Sequence, residues 1–95
     1  MSSITLYTTP TCSYCVSAKR LLSERGFGYT EVDVAQNAQL RSELSVANGN
    51  YGTVPMIFVG DLFIGGFDEL AALDRRGELI GMVAKVAPAP VNEER

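Results

Sequence analysis

Residues 3 to 34 constrain the fold more than any other stretch. "SITLYT" (3–8) alternates apolar Ile4 and Leu6 with polar or amphipathic neighbours, the two-residue period of a strand. From Tyr14 to Arg25 the apolar positions Cys15, Ala18, Leu21 and Leu22 recur at helical spacing, and Gly26 supplies a C-terminal stop. "YTEVDV" (29–34) is β-branched and alternating again. Strand, helix and strand joined by short turns make a βαβ unit, which requires parallel pairing of the two strands.

The rest of the chain extends that unit. A weaker helix is expected over about 37–48, with Leu40, Leu44 and Ala47 on one face, followed by the turn-rich "NGNYGT" (48–53). "PMIFV" (55–59) and "LFIGG" (62–66) read as short strands; the two-residue turn Gly60–Asp61 makes them an antiparallel hairpin. Phe67 to Arg76 continues as a helix with Leu70, Ala71 and Leu73 inward. A last helix, about 78–86, carries Leu79, Ile80, Met82 and Val83. "APAPVNEER" (87–95) has two prolines and a charged end, the pattern of a flexible tail. The order predicts an α/β domain over residues 1–95, core 3–86, with a four-stranded mixed sheet and helices on both faces.

At 95 residues and 46% hydrophobic, the chain can build a core without staples or a structural metal. Its net charge of −3 argues against a nucleic-acid binder, which needs a basic footprint. Lys19, Arg20 and Arg25 come nearest to a basic face, and solvation accounts for them. The N-terminus reads as strand at once, without a leader pattern, and no apolar run approaches a membrane span. A cytoplasmic protein is expected, in a compartment where thiols are kept reduced. The chain has no histidine, so a zinc site within one chain would need an unusual ligand set.

Both cysteines of the chain stand in "YTTPTCSYC" (7–15), three apart. Random placement would give that spacing about 2% of the time. Cys12 falls where the first strand has ended and the helix begins, so the free N–H groups of the first turn point at it. Those donors and the helix dipole stabilise a thiolate, and a Cys-x-x-Cys cysteine can titrate at roughly 3.5–7.5 instead of 8.5. Cys15 lies one turn further in, on the buried side. The pair reads as an attacking thiol and a sheltered resolving thiol, in preference to two inert core cysteines.

"TCSYC" after the first strand, "TVP" at 53–55 and "GGFDEL" at 65–70 resemble the dithiol glutaredoxins of the thioredoxin fold. The likeness runs over about residues 3–86, with the three motifs in the family's order. It implies a glutathione-dependent thiol–disulfide oxidoreductase, with Cys12 and Cys15 catalytic and no resident redox cofactor. Its partners would be glutathione and glutathionylated or disulfide-containing proteins, and the working unit a monomer. The same likeness implies a cis Pro55 that brings the Val54 backbone out beside Cys12 to pair with an extended peptide. An edge-strand start would also explain Pro55. Tyr14, Thr53, Val54, Pro55, Gly66, Phe67 and Asp68 would then bind glutathione. The amides opening the helix at Phe67 would hold its γ-glutamyl carboxylate, and Asp68 its ammonium group. As an alternative, Asp68 would be a plain helix N-cap.

Three departures from the family pattern stand out. Thr9 replaces a lysine expected three residues before Cys12, and Tyr51-Gly52 stand where a basic residue often precedes the Thr-Val-Pro loop. Lys19, about 10 Å along the helix, is no obvious substitute for the missing lysine. Arg41 could reach the glycyl carboxylate of glutathione, although solvation explains it as well. Weaker glutathione binding is therefore expected. Ser13 replaces the commonest proline, and some members with serine here hold a two-iron two-sulfur cluster between two subunits. Cys12 and a glutathione thiol would come from each side. That makes a cluster carrier or sensor the alternative function. A third reading is a thioredoxin-like reductant served by a flavoprotein reductase.

Overall fold

The computed structural model describes residues 3–85; the expected tail at 87–95 lies outside the described residues. Strands β1 (Ile4–Thr8), β2 (Thr30–Asp33), β3 (Met56–Val59) and β4 (Leu62–Gly65) form one sheet in the order β2-β1-β3-β4. β1 pairs parallel with β2, in register Leu6 to Glu31, and antiparallel with β3, in register Leu6 to Ile57. β3 pairs antiparallel with β4 across the turn at Gly60–Asp61, where Gly60 takes a φ of +60°. This is the mixed sheet expected from the sequence. It is flanked on both faces by four helices: α1 (Ser13–Glu24), α2 (Ala38–Ala47), α3 (Phe67–Arg75) and α4 (Leu79–Lys85).

Alternation along β1 sorts the two faces. Ile4, Leu6 and Thr8 are buried, and the first two join Ile57 and Val59 of β3 in the core. Ala18 and Leu22 of α1, Leu70 of α3 and Leu79 of α4 pack against them. Burying such a side chain is worth about 1.5–3 kcal/mol each, so this face carries most of the stability. The opposite face is aromatic: Tyr7 meets Phe58 edge-on at 5.6 Å, and Phe63 lies 5.2 Å from Phe58 and 5.0 Å from Tyr51. α2 is the weak helix its composition suggests, with no fully buried residue; Leu40 and Leu44 are half-buried but Ala47 is exposed. Ile80 also departs from a simple inward stripe, being exposed on α4.

Two features set up the site. α1 and α3 are clamped at the end remote from the cysteines by Arg25, whose guanidinium makes three contacts of 3.0–3.2 Å to the Asp74 carboxylate. At the other end, the β3–β4 ladder carries a bulge: Ile57 pairs with Gly65 while Phe58 pairs with Phe63. Gly65 leaves the strand at a φ of +113°, which glycine adopts freely, and the chain turns into α3.

Candidate redox site

Cys12 is the N-cap of α1, and its extended backbone leaves its sulfur over the first turn. The Cys15 N–H donates to Cys12 Sγ at 3.0 Å, the contact expected of an orphan first-turn amide. No acidic residue stands in that first turn to oppose a negative sulfur. Cys12 and Cys15 form a disulfide, with Cα atoms 5.2 Å apart. Cys15 is buried, as a sheltered resolving thiol requires, and Cys12 is half-buried. The partial cover comes in part from the loop before β3. The Val54–Pro55 peptide bond is cis, and the Val54 carbonyl oxygen lies 3.5 Å from Cys12 Sγ. Pro55 is itself buried and precedes a central strand, so the edge-strand explanation of this proline is overturned.

Two clefts flank the disulfide. The first, of about 290 Å³, is lined by Tyr14, Thr53, Val54, Pro55, Gly66, Phe67 and Asp68, joined by Tyr51 and Glu69. The seven residues singled out in the sequence for ligand binding thus share one cleft. Tyr14 and Phe67 set their rings 6.2 Å apart at its mouth.

The start of α3 corrects one alternative. Gly66, not Asp68, is the N-cap, and it has no side chain to offer. The Glu69 carboxylate instead accepts the Gly66 N–H at 2.7 Å. Asp68 is the second residue of the helix and is exposed. The N–H groups of Phe67 and Asp68 have no partner within the helix. Tyr51 was noticed in the sequence only as a missing cation, yet it helps wall the cleft. A Cβ at Gly66 would fall 2.5 Å from its hydroxyl oxygen, so a side chain there would require the Tyr51 ring to move. The signal available in the sequence was its place two residues before Thr53.

The second cleft, on the other side of the disulfide, is lined by Thr8, Thr9, Pro10, Cys12, Cys15, Val16, Lys19, Glu31 and Asp33. Here side chains satisfy one another. The buried Thr8 hydroxyl donates to Glu31 Oε2 at 2.7 Å, and the Lys19 ammonium donates to the same oxygen at 3.0 Å. The Thr8 hydrogen bond first, and Lys19 second, hold the Glu31 carboxyl below its ordinary range. Lys19 is thereby committed to Glu31, and Arg41 lines neither cleft.

A two-iron two-sulfur cluster takes four thiolates. One chain offers two sulfurs, here bonded to each other, and no group of three or more His, Cys, Asp or Glu side chains gathers among the described residues. The side chains of one subunit do not by themselves make such a site; Cys12 would hold a cluster only together with the thiols of a second subunit and of glutathione.

Residues 4–64 match the glutaredoxin family model. The chain is 44% identical over 79 residues to glutaredoxin 3 of Escherichia coli K12, covering 83% of this chain and 94% of that protein. It is 38% identical over 84 residues to a glutaredoxin of Pseudomonas aeruginosa, covering 88% of this chain and 99% of that one. Its fold is similar to that of a buckwheat glutaredoxin crystallised as a complex with glutathione. The TM-score is 0.83 at 26% identity, over 88% of this chain and 78% of the other. No helix among the described residues is long and apolar enough to cross a membrane.

Proposed function

The chain belongs to the glutaredoxin family, and from that premise we propose that it is a glutathione-dependent oxidoreductase that reduces protein–glutathione mixed disulfides and protein disulfides. One observation carries the reading. The Cys12 sulfur sits against the first-turn amide of α1 and beside the carbonyl of Val54, a residue that lines a cleft with the rest of the Thr-Val-Pro loop and the start of α3.

Reduced Cys12 works as a thiolate, stabilised by the α1 N-terminus. With a glutathionylated protein it attacks the glutathione sulfur, forms a Cys12–glutathione disulfide and expels the protein thiolate. The thiolate of a second glutathione attacks the bound glutathione sulfur, releasing glutathione disulfide and restoring Cys12. With a protein disulfide, Cys12 forms a mixed disulfide and expels one partner thiolate. The Cys15 thiolate then attacks Cys12 Sγ, expels the other and closes the Cys12–Cys15 bond, so two electrons pass to the partner. Two glutathiones reopen that bond and leave as glutathione disulfide.

In the first cleft an extended glutathione pairs with the Val54 backbone. Its γ-glutamyl carboxylate meets the free amides of Phe67 and Asp68, and its ammonium group meets the Asp68 carboxylate. Thr53, Pro55 and Gly66 shape the cleft, and Tyr14 and Phe67 border the sulfur. With Thr9 in place of a cation beside Cys12, binding is weaker than in relatives that carry one. The chain works as a monomer in the cytoplasm, where thiols are kept reduced.

A Cys15→Ser variant treated with glutathione disulfide tests the assignment. Mass spectrometry is expected to find one glutathione on Cys12. A protein left unmodified overturns the proposal.

A further inference from the structure

We infer that the face around the disulfide is built to dock positively charged polypeptide, so that the oxidised partners carry lysine or arginine beside the sulfur under attack. The inference rests on the exchange chemistry proposed above and adds the class of partner.

The two clefts together hold four carboxylates, Asp68 and Glu69 in one and Glu31 and Asp33 in the other, against the single ammonium of Lys19. The chain as a whole has 11 acidic and 8 basic residues. Among the described residues outside the two clefts five are acidic and six basic, so the negative excess of the described part resides around the disulfide. The described residues form three ion pairs, Lys19–Glu31, Arg25–Asp74 and Arg76–Glu78. None of them includes Asp33, Asp68 or Glu69. Asp33 accepts the Ala35 N–H at 2.8 Å and Glu69 the Gly66 N–H, and neither bond removes a charge.

An apolar platform lies within this acidic rim. Tyr14 is 61% exposed and Val16 is 47% exposed, one bordering each cleft. Lysine and arginine side chains suit such a surface. Their methylene stems cover apolar area, their cations sit over aromatic faces, and their heads reach carboxylates beyond. A field of one sign around a reactive centre also speeds the encounter with partners of opposite charge and slows those of like charge.

The test uses the full reduced chain and two peptides, each with one internal disulfide, flanked by lysines in one and by glutamates in the other. Single-turnover exchange is followed by stopped flow without glutathione. At low ionic strength the lysine peptide is expected to react at least about tenfold faster, and the ratio to fall toward one in half-molar salt. Asp33→Asn is expected to lower the low-salt ratio by about two- to threefold. Asp61→Asn, on the β3–β4 turn away from both clefts, is expected to leave it unchanged. Equal rates at low salt, or a ratio insensitive to salt, overturn the inference. Because glutathione is absent, a salt-sensitive preference would stand even if glutathione proved not to be the reductant. Equal rates would leave the glutathione reading intact.

Discussion

The two clefts beside the disulfide are built from different junctions, the loop before β3 with the start of α3 on one side and the β1–α1 turn with β2 on the other, and they differ in how their polar groups are used. On the Val54 side the first-turn amides of α3 have no intrahelical partner, and the lining contains no cation. On the Thr8 side a hydroxyl and an ammonium close on one carboxylate oxygen, Glu31 Oε2. Unspent donors can receive a ligand, whereas a closed network has to be broken to admit one. The contrast is the reason the proposed function seats glutathione in the first cleft and leaves the second a supporting role.

The strongest way to break this account is at the Cys12 sulfur, which lines the second cleft and meets Val54 of the first. Cys12→Ser is expected to cut turnover of glutathione mixed disulfides at least about a thousandfold, since Cys15, the other thiol, is buried. Cys15→Ser should retain that activity and lose reduction of protein disulfides. Comparable losses in both variants, measured on both substrates, would contradict the division of labour.

Next in size is a substitution confined to the first cleft. Gly66→Ala puts a Cβ against the Tyr51 hydroxyl and is expected to lower stability by about 1–3 kcal/mol in denaturant titration. It should raise the KM for glutathione while sparing stoichiometric exchange with a small uncharged disulfide. An unchanged KM would remove glutathione from this cleft. Thr9→Lys acts from the other side, adding a cation beside Cys12. A severalfold rise in kcat/KM for glutathione is expected, together with a lower Cys12 pKa. If neither moves, the missing lysine is not what limits binding.

The smallest effect belongs to the closed network. The folded-state pKa of Glu31 is depressed below 4.5, so its contribution is complete at neutral pH and is lost as pH falls below about 4.5 through the depressed value. With 36% of its side chain exposed, the contribution is screened to no more than about 1 kcal/mol. Glu31→Gln should flatten the acid limb of the stability curve and leave the KM for glutathione alone. A changed KM would mean that the two clefts are not separate.

Much of this was legible in the sequence because it is local. The βαβ unit follows from two periodicities and a glycine stop, the hairpin from Gly60–Asp61, and the reactive pair from cysteine spacing at a helix start. What could not be read there depends on groups distant in the chain. Lys19 finds Glu31 across 12 positions, and Cys12 meets Val54 across 42. Asp68 looked like a cap because capping is judged by residue type, but with the helix starting at Phe67, as its pattern implies, the N-cap is Gly66, and the Glu69 carboxylate takes the place of a capping side chain. Tyr51 reads as a turn residue; its packing on Phe63 is what brings its hydroxyl to the cleft.

The central claim is that glutathione is the reductant of the Cys12–Cys15 disulfide. It is tested most directly by following NADPH consumption with oxidised protein supplied either with glutathione and glutathione reductase or with thioredoxin reductase alone. Reduction in the first mixture and little in the second is the predicted result. Reduction only by thioredoxin reductase would contradict it.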